Sequence, residues 1–388
     1  MLGAQLIWSK IWSKICSKIW SIGLGVRGPV RISLSPKRSS SKGAKMGIPA
    51  VCRLAVVLLQ VFCVYGMRPL RLPSERRSPF GDNDEIVVNS RPLIGILSQP
   101  GDGDGSKIVN SGTTDPAHIS YIAASYVKFV EAGGARVVPL IYNEPEEILK
   151  KKFGAINGIL FPGGDASLQD GPFYQVAEKL FNWALEANDN GDYFPIYGVC
   201  LGFELLSVLV TKDHYVLEPF QASKKPAPIV FVNEAAKDKS FFKWFSDDLN
   251  ERVSTESLAL ENHKWGLTPS KFAALKPLTD FFEVLTTTPD ENNKIYVSTV
   301  QGRKYPVTGV QYHPEKNMFE WGYDTIPHGS AAGLFTQSVA NFVVSEARKS
   351  QHAPSSAEQE QEFLIYNTNP VYSGKDGIGY FDQSYVFF

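Results

Sequence analysis

Acidic residues are missing from the first 66 positions of this 388-residue chain, which hold ten Lys and Arg. The other 29 basic residues then face all 40 acidic ones, a net charge of −11 over residues 67–388. A surface of that sign lacks the basic footprint that nucleic-acid phosphates demand, so nucleic acid is excluded as a partner. Cysteine is scarce too. Of four, Cys16, Cys52 and Cys63 fall in the first 66 positions, and Cys200 stands alone in the remainder. A solitary thiol forms no intramolecular disulfide and is either reactive or buried. Asn-x-Ser/Thr is absent, so glycosylation gives no sign of export. No phosphate-binding loop occurs, and no spacing of His, Cys, Asp and Glu resembles a metal site; no cofactor is expected.

What the first 66 residues do contain is patterned. From Met46, Arg53 precedes an apolar stretch from Ala55 to Val64, and Val64 and Gly66 occupy the small-residue positions of a cleavage site. That layout reads as a secretory signal peptide over 46–66, too short for a membrane span, so an integral membrane protein is not expected. Upstream, "IWSKIWSKICSKIW" repeats every four residues and would set Ile and Trp opposite Lys on a helix. A transit-type or membrane-surface helix is one reading. Translation from Met46, with residues 1–45 an over-extended gene reading, is the preferred one.

Residues 67–90 are charged and Pro-containing and read as a linker. From Arg91, strand and helix signals alternate. "PLIGILSQP" (92–100) predicts a buried strand, "SYIAASYVKFVEAGG" a helix stopped by Gly133–Gly134, "ARVVPLI" a strand and "EPEEILKKKF" a short helix. "NGILFPGGD" predicts a third strand, Phe173 to Ala187 a helix, "YFPIYGV" a fourth strand, and "LGFELLSVLVT" the helix after it. Because parallel strands need crossovers, this alternation predicts an α/β domain over 91–350 with a mainly parallel central sheet flanked by helices. "APIVFVN", "FFEVLTTT", "IYVSTV" and "YPVTGVQYHP" make the second half richer in strands, and a helix over about Ser330–Lys349 closes it. The tail, 351–388, is expected to lie over the surface or be partly disordered.

Ligands of open α/β sheets bind outside the carboxyl ends of strands, and Cys200 sits at such an end and at a helix start. The positive helix end should lower its thiol pKa, and the Leu201 amide can face an oxyanion on an attacked carbonyl. Gly198 and Gly202 permit the sharp turn, as in a G-x-S-x-G elbow with Cys for Ser. Of six histidines, His313 is the best base: it follows an apolar strand, Pro314 ends the ladder, and Glu315 can fix its tautomer. His118, His214 and His328 read as solvated loop residues, and His352 lies in the polar tail. Gly163 and Gly164 in "FPGGD" offer a second oxyanion donor, or only a tight turn.

"FPGGD", "GVCLGFELLS" and "VQYHPEK", in this order, resemble the class I glutamine amidotransferase-like fold, a flavodoxin-like three-layer sandwich. Within it "SYIAASYVKFVEAGGARVVPL", "GDYFPIYGVCLGFE" and "ENHKWGL" resemble the gamma-glutamyl hydrolase family in its plant form, over about Arg91 to Lys349. That resemblance implies Cys200 as nucleophile, His313 as general base and acid, and Glu315 as orienting carboxylate. It implies an oxyanion hole from Leu201 with Gly163 or Gly164, and His263, Glu204 and Tyr121 on the substrate side; Glu204 could equally pair with a basic helix neighbour. It implies hydrolysis of folylpoly-γ-glutamates through a thioester, a small-molecule substrate, a homodimer as the assembly to consider, and the vacuole or the extracellular space as location. A polyanionic substrate on an acidic chain needs a local basic patch, for which Lys264 and Lys316 are candidates. Rivals are the glutaminase half of an amidotransferase, an inactive binding module on the same scaffold, and an α/β-hydrolase esterase, which lacks its Ser elbow.

Overall fold

The computed structural model describes residues 88–101, 119–376 and 381–388. The basic extension, the signal peptide, most of the linker and His118 lie outside the described residues.

The described chain runs β1 (Leu93–Leu97), β2 (Gln99–Pro100), β3 (Ser120–Ala123), α1 (Ala124–Ala132), β4 (Arg136–Leu140), α2 (Glu146–Phe153), β5 (Ile159–Phe161), α3 (Pro172–Asp189), β6 (Ile196–Val199) and α4 (Leu201–Thr211). It continues through β7 (Glu218–Ala227), β8 (Val230–Phe231), α5 (Asp247–Thr255), β9 (Ala259–Gly266), α6 (Pro269–Ala274), α7 (Lys276–Phe281), β10 (Phe282–Pro289), β11 (Ile295–Gly302) and β12 (Val307–Val310). Helices α8 (Lys316–Phe319), α9 (Ser330–Ala347) and α10 (Ala357–Phe363) and strand β13 (Ser384–Phe387) complete it.

Eight strands form the central sheet in the order β4-β1-β5-β6-β12-β11-β10-β8. The first five are parallel, and in chain order they read 2-1-3-4-5, the doubly wound order of flavodoxin-like sheets. Strands β11, β10 and β8 extend the sheet antiparallel, which accounts for the strand-rich second half. Parallel strands covered on both faces are apolar throughout, and all five residues of β1 are buried. Leu93 and Leu97 enter a core shared with α3 and α4, while Ile94 and Ile96 enter the opposite core with α1 and α9. The three-layer α/β architecture expected from the sequence is therefore present.

One segment departs from expectation. Residues Ser120–Ala123, read as helix, form strand β3, because β2 and β13 pair with it on either side. The tail is ordered where described: α10 docks through the ion pairs of Glu360 with Arg91 and Arg136, and β13 adds the outer strand to β3. Strands β7 and β9 make a separate two-stranded ribbon that carries residues 259–266 over the carboxyl edge of the main sheet. Among the described residues no helix is long and apolar enough to cross a membrane.

Candidate active site

Strand β6 ends at Val199, and the next residue turns sharply into α4. Cys200 adopts φ 52°, ψ −107°, a region that L-residues avoid at a cost of about 1–3 kcal/mol. Its neighbours enforce this turn. A Cβ on Gly202 would sit 2.0 Å from the Phe161 carbonyl oxygen, and one on Gly198 2.7 Å from the Gly202 oxygen. A side chain at Gly202 would lift α4 off β5 and one at Gly198 would lift it off β6, so the G-x-C-x-G spacing is a packing requirement that also places Cys200 at the cleft.

The thiol itself departs from the sequence expectation. Burial pushes the Cys200 pKa well up, and the carboxylates of Glu204, Glu315 and Glu261 push the same way; the Leu201 amide opposes them and loses. The helix start thus does not yield a resting thiolate, because desolvation outweighs one amide dipole.

Where β12 ends, His313 crosses to β9 through its backbone amide, which donates to the Leu260 oxygen at 2.9 Å. Its Nδ1 lies 2.7 Å from Glu315 Oε1. Glu315 is fully buried; burial raises its carboxyl, but the charge of His313 and their hydrogen bond hold it net below the ordinary value. A carboxylate there accepts a hydrogen bond from Nδ1–H, the tautomer that leaves Nε2 with its lone pair. That Nε2 is buried and meets no hydrogen-bond partner among the described residues. A Cβ on Gly163 would lie 2.8 Å from His313 Cε1 and 3.2 Å from Cys200 Cβ, so base, cysteine and glycine loop meet there, with the thiol directed at the Asn262 oxygen 3.7 Å away.

Gly163 and Gly164 are not equivalent. The Gly163 amide donates to the Tyr126 hydroxyl at 2.8 Å, and that hydroxyl lies 3.3 Å from His313 Nδ1. The expectation that either glycine could meet an oxyanion is corrected accordingly: Gly163 has spent its only donor. The Gly164 amide is unengaged among the described residues, and Gly164 lines the cleft with Cys200 and Leu201.

Opposite this set stands a buried polar cluster on β9, α4 and β11. His263 Nδ1 is 2.8 Å from the Trp265 oxygen, its Nε2 is 3.3 Å from Glu261 Oε2, and its ring packs edge-on to Tyr296. Glu204 accepts a 3.1 Å hydrogen bond from Gln311 Nε2, in place of the basic helix neighbour the sequence left open. Burial raises the Glu204 carboxyl to about 7, with His263 and Gln311 pulling the other way. Tyr121, Lys264 and Lys316 also line the cleft, whose volume is roughly 860 Å³.

The peptidase C26 family model matches residues 92–315, more than half of the chain. The chain belongs to the peptidase C26 family. Gamma-glutamyl hydrolase 1 of Arabidopsis thaliana is 47% identical to it over 321 residues, covering 81% of this chain and 90% of that protein. Gamma-glutamyl hydrolase of Glycine max is 46% identical over 301 residues, covering 77% and 85%. Among solved structures, the glutaminase domain of Trypanosoma brucei CTPS with bound acivicin superposes with a TM-score of 0.42 at 13% identity, covering 68% of this chain and 96% of that one; so loose a likeness carries no weight.

The peptidase C26 match stops at Glu315, yet the cleft does not: Lys316, Tyr323 and Phe381 continue its wall. Other histidines have structural partners. His352, read as a polar-tail residue, bridges Asp192 at 2.6 Å and the Phe153 oxygen at 3.0 Å. His328 stacks on Trp321, and His214 bonds the Leu168 oxygen at the cleft rim. Sequence reasoning missed Tyr126, Glu261, Gln311 and Phe381. Tyr126 sat in a helical period as a core residue, and nothing local marked the other three.

Proposed function

We propose that the protein is a γ-glutamyl hydrolase that cuts folylpoly-γ-glutamates, and their antifolate counterparts, through a thioester on Cys200. The observation that carries the reading is the convergence of Cys200, the His313–Glu315 pair, Leu201 and Gly164 on one cleft. A relative 47% identical is named a gamma-glutamyl hydrolase, which supplies the bond class.

The steps follow from the geometry. His313 Nε2 takes the Cys200 proton as Sγ attacks the γ-carbonyl carbon; a buried thiol with a raised pKa needs that base. The C–S bond forms, and the Leu201 and Gly164 amides receive the oxyanion. The imidazolium, steadied by Glu315, gives its proton to the amide nitrogen as the C–N bond breaks and glutamate or an oligoglutamate leaves. Water then loses a proton to His313 and attacks the thioester; the C–S bond breaks, the acid product is released, and the imidazolium returns its proton to Sγ. Tyr121, Glu204 and His263 form the substrate side, and Lys224, Lys264 and Lys316 give the acidic chain a local cationic lining for a polyanion.

An acidic compartment, the vacuole first and the extracellular space second, is the proposed location, reached through the signal peptide. A homodimer is the assembly to test by sedimentation. Product analysis on a pteroyl-polyglutamate ladder, with Cys200→Ala as control, tests the function. Hydrolysis of free glutamine in preference to γ-glutamyl oligomers would overturn it.

A further inference from the structure

Lys316 is only 2% exposed, yet no carboxylate lies within ion-pair distance of its Nζ among the described residues. Glu315 and Glu320 both feel its charge without bonding it directly. Glu315 binds His313 at 2.7 Å, and Glu320 uses Oε2 to accept the Asp382 amide at 2.8 Å. A buried ammonium with no direct ion pair is costly, and a ligand carboxylate placed against it would relieve that cost. Lys316 lines the same cleft as Cys200 and His313.

The segment 381–388 fixes the ammonium's direction. Strand β13 pairs with β3 from Ser384 to Phe387, and the Ala124 amide donates to the Gln383 oxygen at 2.8 Å. This docking brings Phe381 into the cleft wall, where its ring lies 5.8 Å from that of Tyr121 and 4.6 Å from Lys316 Nζ. The aromatic face holds the cation without neutralising it, so its N–H groups stay available for a carboxylate.

Resting on the hydrolase reading above, we propose that Lys316, seated on Phe381, binds the α-carboxylate of the leaving glutamate. The leaving side is chosen on connectivity. His313 protonates the departing nitrogen, whose own Cα carries that carboxylate, and Lys316 lies three residues beyond His313 at the start of α8. The pair sets specificity: it demands a free carboxylate next to the scissile nitrogen and leaves the chemical step to Cys200 and His313.

Three substrates test this: pteroyl-diglutamate, its analogue with the leaving-side α-carboxylate as a carboxamide, and the analogue with that change on the acyl-side glutamate. The full chain should cleave the diglutamate with kcat/KM about 10- to 100-fold above the leaving-side amide, the range for one charge-assisted contact. Lys316→Met should lose about the same factor on the diglutamate, chiefly through KM, and lose little on the leaving-side amide. Phe381→Leu, which keeps the wall apolar, should raise KM several-fold on the diglutamate while kcat stays within about twofold. Equal losses by Lys316→Met on all three substrates, or a loss that follows the acyl-side carboxylate, would overturn the proposal. So would a parent enzyme that cleaves the diglutamate and its leaving-side amide equally well, whether or not the variants fold. A parent enzyme that cleaves none of the three refutes the hydrolase reading itself, a separate result.

Discussion

Replacing Glu204 by Gln should make this protein more stable at pH 8 and leave it unchanged near pH 4. The carboxyl titrates near 4.5 in an unfolded chain and at about 7 in the fold, where burial raises it. The folded protein thus keeps a proton that the unfolded chain has already released. Stability from the neutral carboxyl is fully present below about 4.5 and is lost as pH rises through 7. At about 1.4 kcal/mol per pH unit, the gap between the two values corresponds to roughly 3 kcal/mol lost by pH 8. Gln is nearly isosteric, and its amide oxygen can keep the hydrogen bond from Gln311. It cannot ionise, so the loss should vanish. Urea denaturation at pH 4, 6 and 8 measures it directly. Glu204 is also the leading charge among those that raise Cys200, so alkylation of the variant by iodoacetamide should begin at lower pH. A stability difference that is the same at all three pH values, or a variant less stable at pH 8, would refute the reasoning.

Cys200→Ala should abolish hydrolysis with little change in unfolding free energy, and Cys200→Gly should be more stable than Cys200→Ala by about 1–2 kcal/mol, because glycine tolerates φ 52°; paired melts check both. Gly202→Ala, with its methyl 2.0 Å from the Phe161 oxygen, should fail to give soluble folded protein, as read by yield and circular dichroism. Tyr126→Phe strands the buried Gly163 amide, which should cost about 1–3 kcal/mol of stability in a urea melt. Glu315→Gln should cut kcat by about 10²–10⁴-fold while KM changes little, since only imidazole orientation and charge are lost.

Residues whose roles follow from local geometry were legible in the sequence. The turn at Cys200 needs small neighbours, so Gly198 and Gly202 announce it. Residues whose roles arise from chain segments far apart were not. Tyr126 shows a helical period in sequence, and only the β5 loop folding back on it turns its hydroxyl into the acceptor for Gly163. Glu261 alternates along β9 like any strand residue until α4 and β11 enclose it. Strand β3 looked helical because its partners β2 and β13 are not its immediate neighbours in sequence, and β13 lies most of the chain away. The thiol shows the same limit in electrostatics: a helix start is visible in sequence, but the desolvation that overrides it is not.

The strained turn at Cys200 also has an evolutionary reading. A position where glycine would relieve the backbone, yet cysteine stands, is one where selection for folding and selection for chemistry pull in opposite directions. In a duplicated copy freed from hydrolysis, drift toward glycine here would be favoured by stability alone. Among such copies, the residue at this turn would separate working enzymes from retired ones before any of them is assayed.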